Sequence, residues 1–172
     1  MMGKVSSQNP SRQDSLPARW WADEMLGRLA RYLRMVGLDT AYVPGLTDDE
    51  VVRRAGAEGR TLLTRDRQLA RRVPGAFLVT TVAIESQWRE LRCRFPHLPS
   101  VPCFERCTLC NGPLAPWELG GSIGPASEVP TDVRGSGRAL YRCTTCGHMY
   151  WDGTHVASLR RRLAAWSTDG GP

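Results

Sequence analysis

Two Cys-x-x-Cys pairs, Cys107/Cys110 and Cys143/Cys146, constrain this chain more than any other feature, because four thiolates at that spacing are what a tetrahedral structural zinc site requires. Such a site ties the last third of the sequence into one metal-closed unit. Asn111-Gly112 follows the first pair and Gly147 the second, and these residues tolerate the positive φ of a tight knuckle whose backbone N–H groups surround each sulfur. The 32 residues between the pairs are rich in Gly, Pro and Ser, which predicts a ribbon with an extended loop between its knuckles. Two disulfides or four idle thiols are the competing reading, and the lack of a secretory signal weighs against them.

A chain of 172 residues, 41% of them hydrophobic, can build one modest domain plus a small appendage too short for a core of its own. Zinc supplies what the appendage lacks: a structural site contributes about 10–16 kcal/mol of apparent binding free energy, effectively the folding energy of a small ribbon. The stretch from Met1 to about Arg19 is polar and reads as a disordered tail, not a signal peptide. No apolar run is long enough to span a membrane, and cysteines that serve as metal ligands fit a reducing, cytoplasmic compartment. The net charge of +6 suits a polyanionic partner.

From Arg19 to about Pro99 strands and helices alternate. Arg19-Trp20-Trp21-Ala22 reads as a strand that delivers Asp23 at its C-terminal end, ahead of a helical pattern from Met25 to Val36. Leu26, Leu29, Leu33 and Val36 form an apolar stripe on that helix, while Arg28, Arg31 and Arg34 recur on another side as either a solvated face or a track for phosphates. Leu38–Val43 predicts a second strand, and Thr47 caps a helix whose first turn is Asp48-Asp49-Glu50. Arg60–Thr64 predicts a buried strand presenting Arg65-Asp66 at its end, followed by a basic helix from Gln68, a strand over Ala76–Thr81 and a helix over Ser86–Arg94.

Such alternation predicts a parallel sheet covered by helices, in which ligands sit outside the C-terminal edge of the strands. Asp23 and Asp66 belong to that edge, and Asp48, entering the helix after the second strand, can reach it. Carboxylates gathered without a buried cation repel one another, so a cluster of three calls for a divalent metal, and hard oxygen ligands suit Mg²⁺ or Mn²⁺. That chemistry is phosphodiester hydrolysis.

Four segments in order, Ala22-Asp23-Glu24-Met25-Leu26-Gly27-Arg28-Leu29-Ala30-Arg31-Tyr32-Leu33-Arg34, then Thr61-Leu62-Leu63-Thr64-Arg65-Asp66, then Arg106-Cys107 to Gly112, then Tyr150-Trp151-Asp152-Gly153-Thr154-His155, give the chain a family likeness. It resembles the Mut-7 C-terminal domain family, a PIN-like RNase fold followed by a zinc ribbon, over about Trp20 to Trp166. The resemblance implies a metal-dependent, endonucleolytic ribonuclease with Asp23, Asp48 and Asp66 as its acids and Asp49 as the fallback for Asp48. PIN nucleases usually carry a further acid on an intervening helix, for which this shortened core has no clear equivalent.

The remaining candidates follow from the ribbon and the basic surface. Arg65, Tyr150 and Trp151 are candidate RNA contacts, the two aromatics as stacking platforms for bases or, equally, as packing within the ribbon. Arg160, Arg161 and Arg162, flanked by Val156, Leu159 and Leu163, predict a basic amphipathic helix that can face RNA or the core, with RNA slightly favoured. His148 and His155 read as surface or structural residues, since four cysteines already complete a zinc site. The expected division is a tail over 1–18, a PIN-like domain over 19–99, a zinc ribbon over 100–155, a basic helix over 156–166 and a second tail over 167–172. The expected partner is RNA, the ribosome or ribosomal RNA included. The reading from another class is a non-catalytic RNA- or ribosome-associated zinc-ribbon protein, and a toxin of a toxin–antitoxin pair stands third.

Overall fold

A computed structural model describes residues 16–118, 129–134 and 136–168. Most of the tail expected over 1–18, part of the long loop between the knuckles and the last four residues lie outside that set. The elements, in chain order, are β1 (Arg19–Ala22), α1 (Gly27–Met35), β2 (Asp39–Ala41), α2 (Asp48–Ala57), β3 (Thr61–Thr64), α3 (Arg67–Arg72), β4 (Phe77–Leu78) and α4 (Ile84–Arg94). There follow β5 (Leu114–Trp117), α5 (Thr131–Arg134), β6 (Leu140–Cys143), β7 (Met149–Trp151) and α6 (Thr154–Thr168).

The first four strands form one parallel sheet in the order β2-β1-β3-β4, with Trp21 opposite both Ala41 and Leu62 and Thr64 opposite Leu78. Successive strand residues point to opposite faces, so each face acquires its own core. Trp20 and Leu63 pack with Leu29 and Leu33 of α1, Trp88 and Leu91 of α4 and Leu163 of α6, whereas Trp21 and Leu62 pack with Val51 and Ala55 of α2 and Leu69 of α3. Helices on both faces of a parallel sheet are the architecture the alternation predicts, and the apolar stripe Leu26, Leu29, Leu33 and Val36 is buried throughout. Gly37 closes α1 at φ +88°, and a side chain there would strike the Cys103 sulfur at 2.7 Å.

Several boundaries differ from the expected ones. Glu24–Leu26 forms a 3₁₀ turn, so the α-helix proper begins only at Gly27. The strand expected over Ala76–Thr81 is just Phe77–Leu78, because the Glu90 carboxylate accepts the N–H and hydroxyl of both Thr80 and Thr81 and draws that segment onto α4. The second strand is likewise confined to Asp39–Ala41.

The ribbon is a three-stranded antiparallel sheet, β5-β6-β7, over a small core of Trp117, Val129, Val133, Leu140 and Met149. α6 leaves it and returns to the parallel sheet: Leu163 is wholly buried there, Leu159 and Trp166 pack beside it, and the Trp166 and Tyr32 rings lie 5.2 Å apart. Among the described residues no helix is long and apolar enough to cross a membrane.

Candidate functional site

Asp23 and Asp66 stand at the C-terminal ends of β1 and β3, which are paired neighbours, and the Thr64 hydroxyl joins them. That hydroxyl donates to Asp23 Oδ2 at 2.8 Å and accepts the Asp66 N–H at 2.9 Å. Asp23 is fixed further by the Glu24 N–H on Oδ1 (2.7 Å) and by donating its own N–H to the Leu63 carbonyl (2.9 Å). Asp66 Oδ1 caps α3 by accepting from Gln68 and Leu69.

Asp48 has a different setting. It opens α2 with its side chain about half exposed and 3.9 Å from Arg72, which also holds Asp49. The Asp49 hydrogen bond, with the charges of both carboxylates, raises the Arg72 guanidinium above its ordinary value. Thr47 and Glu50 complete a capping box on the same turn, so this acidic run serves the helix N-terminus. The three carboxylates are not drawn together: among the described residues, the only set of three or more potential metal ligands with all ligand atoms within 4.8 Å of one another is Cys107, Cys110, Cys143 and Cys146.

Those four sulfurs suit zinc. Cys107 and Cys146 Sγ lie 3.6 Å apart and Cys110 and Cys143 Sγ 3.4 Å apart, close to the roughly 3.8 Å edge of a tetrahedron with Zn–S bonds of about 2.3 Å. Each knuckle turns through a residue at positive φ, Asn111 at 67° and Gly147 at 79°, and each aims an N–H at its first sulfur, Cys110 N–H at Cys107 and Cys146 N–H at Cys143. Burial pushes the Cys107 thiol up, but the Tyr150 hydroxyl and the Cys110 and Leu109 N–H groups outweigh it and bring it down to about 7. Burial and the crowding of the other three sulfurs drive Cys110 up to about 12. One thiolate is favoured and the next opposed, which a bound cation resolves. Cys93 is exposed and Cys103 half-buried, and neither joins the set.

The first knuckle is also built into the edge of the parallel sheet. Arg34 is 3% exposed and its guanidinium donates to the carbonyls of Thr40, Thr108 and Leu109, the last two inside the knuckle. Burial pulls this guanidinium down from its ordinary value, while the Cys107 and Cys110 sulfurs push the other way. Asn111 accepts the Thr40 N–H and donates to Asp39, so the residue that turns the knuckle also extends strand β2. Asp39 in turn faces Arg60 at 2.6 Å and Arg106 at 3.7 Å.

This corrects the arginine row. Arg28 and Arg31 are exposed and free to meet phosphates, but Arg34 is an internal clamp, because its buried guanidinium donates to three carbonyls where α1 meets the knuckle. The row's spacing hid it; the signal was Ala30, one turn earlier and fully buried, which puts position 34 on the margin of the apolar stripe. Tyr150 bonds Cys107, Thr108 N–H and Thr108 Oγ1, and Trp151 packs on the ribbon core. Arg65 is half-buried beside Asp66, and its Nε is buried without a partner among the described residues. Arg160 pairs with Asp152 at 2.9 Å, Arg162 reaches the Tyr32 hydroxyl at a long 3.5 Å, and Arg161 is exposed.

A doubly wound parallel sheet with paired strand-end acids and a four-cysteine ribbon clamped to its edge defines an α/β protein of mixed acid and thiolate sites. The chain belongs to the Mut7-C RNAse domain family, whose model matches residues 18–163, nearly its whole length. A search of the curated proteins and of the solved structures found no match. The family points to nuclease-type chemistry on RNA.

Proposed function

We propose that this chain is a metal-dependent, endonucleolytic ribonuclease whose PIN-like core cuts RNA at the edge that carries Asp23 and Asp66. The observation that carries the reading is the Thr64 hydroxyl linking the Asp23 carboxylate to the Asp66 backbone at the ends of adjacent strands. Ligands of open parallel sheets bind outside those ends, and a Mg²⁺ or Mn²⁺ ion, which keeps several of its own waters, needs only one or two carboxylates. Asp23 and Asp66 would supply them. Asp48 would join as a third only after exchanging Arg72 for the ion. When bound, the ion supplies an activated water and charge neutralisation at the scissile phosphate. Arg28 and Arg31, on the helix that starts beside Asp23, would steer the RNA backbone, with Arg65, Arg161 and the four-cysteine ribbon holding its flanks. Zinc is the ion assigned to that ribbon, cytoplasmic RNA the substrate class, and ribosomal RNA one such partner.

The test is cleavage of a mixed pool of structured and single-stranded RNAs by the zinc-loaded protein, with Mn²⁺ added or omitted. Asp66→Asn keeps a good helix cap while removing the charge, so cleavage should vanish and RNA binding persist. Unchanged cleavage by Asp66→Asn would place the activity elsewhere. No cleavage of any RNA, with no Mn²⁺ bound, would leave the non-catalytic RNA-binding reading, which the separation of Asp48 from the other acids favours.

A further inference from the structure

A cleft of about 370 Å³ opens where the C-terminal end of α1, the chain entering the ribbon, β7 and the first turns of α6 meet. It lies away from the acids: α1 starts at the edge that carries Asp23 and must return to the opposite edge to feed parallel β2, and the cleft is lined by Tyr32 and Met35, roughly 8 and 12 Å along the helix from Gly27. The walls are largely apolar. Phe104 stacks face to face on Tyr141 at 4.6 Å, which fixes the plane of its ring, and Trp151 lies nearby on β7.

Arg106 and Arg162, the charged residues that line this wall, have one sign; His155 lines it too, and no carboxylate does among the described residues. Arg106 is partly committed to Asp39, but among the described residues Arg162 has only the neutral Tyr32 hydroxyl at 3.5 Å, so no carboxylate there balances its charge at the cleft. An occupant that fits carries a flat apolar body and an anionic end. Ser158 and Cys103, also on the lining, carry polar groups that the edge of a base can pair with and an acyl chain cannot.

We propose that this cleft binds one nucleotide unit, its base against Phe104 and Trp151 and its phosphate on Arg162. The choice of a nucleotide rests on the ribonuclease reading; the shape and charge of the cleft do not. A free 5′-mononucleotide and a nucleotide within an RNA strand share this chemistry.

Calorimetric titration of the full zinc-loaded chain with the four 5′-mononucleotides, a short single-stranded RNA and decanoate separates the outcomes. Arg162→Gln, at an exposed position that leaves folding intact, should weaken nucleotide binding by at least about tenfold, as loss of a charged hydrogen bond does. Trp151→Leu should weaken it as well, and Asp66→Asn should leave it unchanged. Arg162-dependent binding of a mononucleotide marks the free nucleotide as a sufficient ligand, and Arg162-dependent binding of the RNA alone marks the polymer as the source. Binding of both that is indifferent to Arg162→Gln, absence of binding of either, or tighter binding of decanoate overturns the proposal. Cleft binding without any RNA cleavage would leave it standing while the nuclease reading falls; cleavage with no cleft binding would do the reverse.

Discussion

Arg34 shows how one side chain can join two parts of a fold. Its planar fork satisfies carbonyls on β2 and on the knuckle at once, a geometry that the single ammonium of lysine cannot reproduce. Arg34→Met should cost about 2–4 kcal/mol in urea unfolding, because buried carbonyls lose a charged donor, and Arg34→Lys should recover only part of it. Full recovery by lysine would mean that charge alone matters. Asp39, beside it, gives a pH signature. Burial alone would raise its carboxyl, but hydrogen bonds from Arg60 and Asn111 and the charges of Arg60 and Arg106 hold it below the usual carboxylate range. A depressed folded-state pKa gives stability that is present above the ordinary value of about 3.9 and lost as pH falls through the lower one. Asp39→Asn should therefore be less stable than the parent at neutral pH, and the two urea midpoints should converge below about pH 4. Parallel midpoints down to strongly acid pH would contradict this.

At the scale of elements, the strand-helix alternation, the stripe on α1 and both knuckles could be read from the chain because each depends on local spacing: period 3.6 on a helix, paired Cys-x-x-Cys with a positive-φ residue behind it. What could not be read depends on partners far along the sequence. β4 is short because Glu90 captures Thr80 and Thr81, Asp48 is held by Arg72, and Arg34 reaches a knuckle more than seventy residues away. α6 is the plainest case, since its sequence fits a basic surface helix and only the tertiary structure shows Leu163 seated against α1 and α4. Leu163→Ala should therefore destabilise the whole α/β core by about 2–5 kcal/mol, while Arg161→Gln on the exposed side should stay within about 0.5 kcal/mol. Thermal unfolding of the two variants checks the contrast, and equal effects would mean that α6 packs otherwise.

Across the whole molecule the path of the chain makes ribbon and sheet interdependent. The polypeptide leaves the sheet after α4, passes through both knuckles and comes back as α6, while Arg34 and Asn111 clamp the first knuckle to β2. Zinc held by the four cysteines would supply folding energy that an appendage of this size otherwise lacks, so its loss should release Asn111 from β2 and loosen the hold on α6 together. Stripping the metal with a chelator, or replacing Cys107 and Cys143 by Ser, should lower the melting temperature of the entire chain in one cooperative step. Amide exchange should rise in β2 and α6 as well as in β5–β7, since local opening follows the contacts that are lost. A chelated protein that kept an intact melting transition for the parallel sheet, with faster exchange confined to the ribbon, would show that the two parts fold separately and that the Arg34 clamp joins them without supporting either.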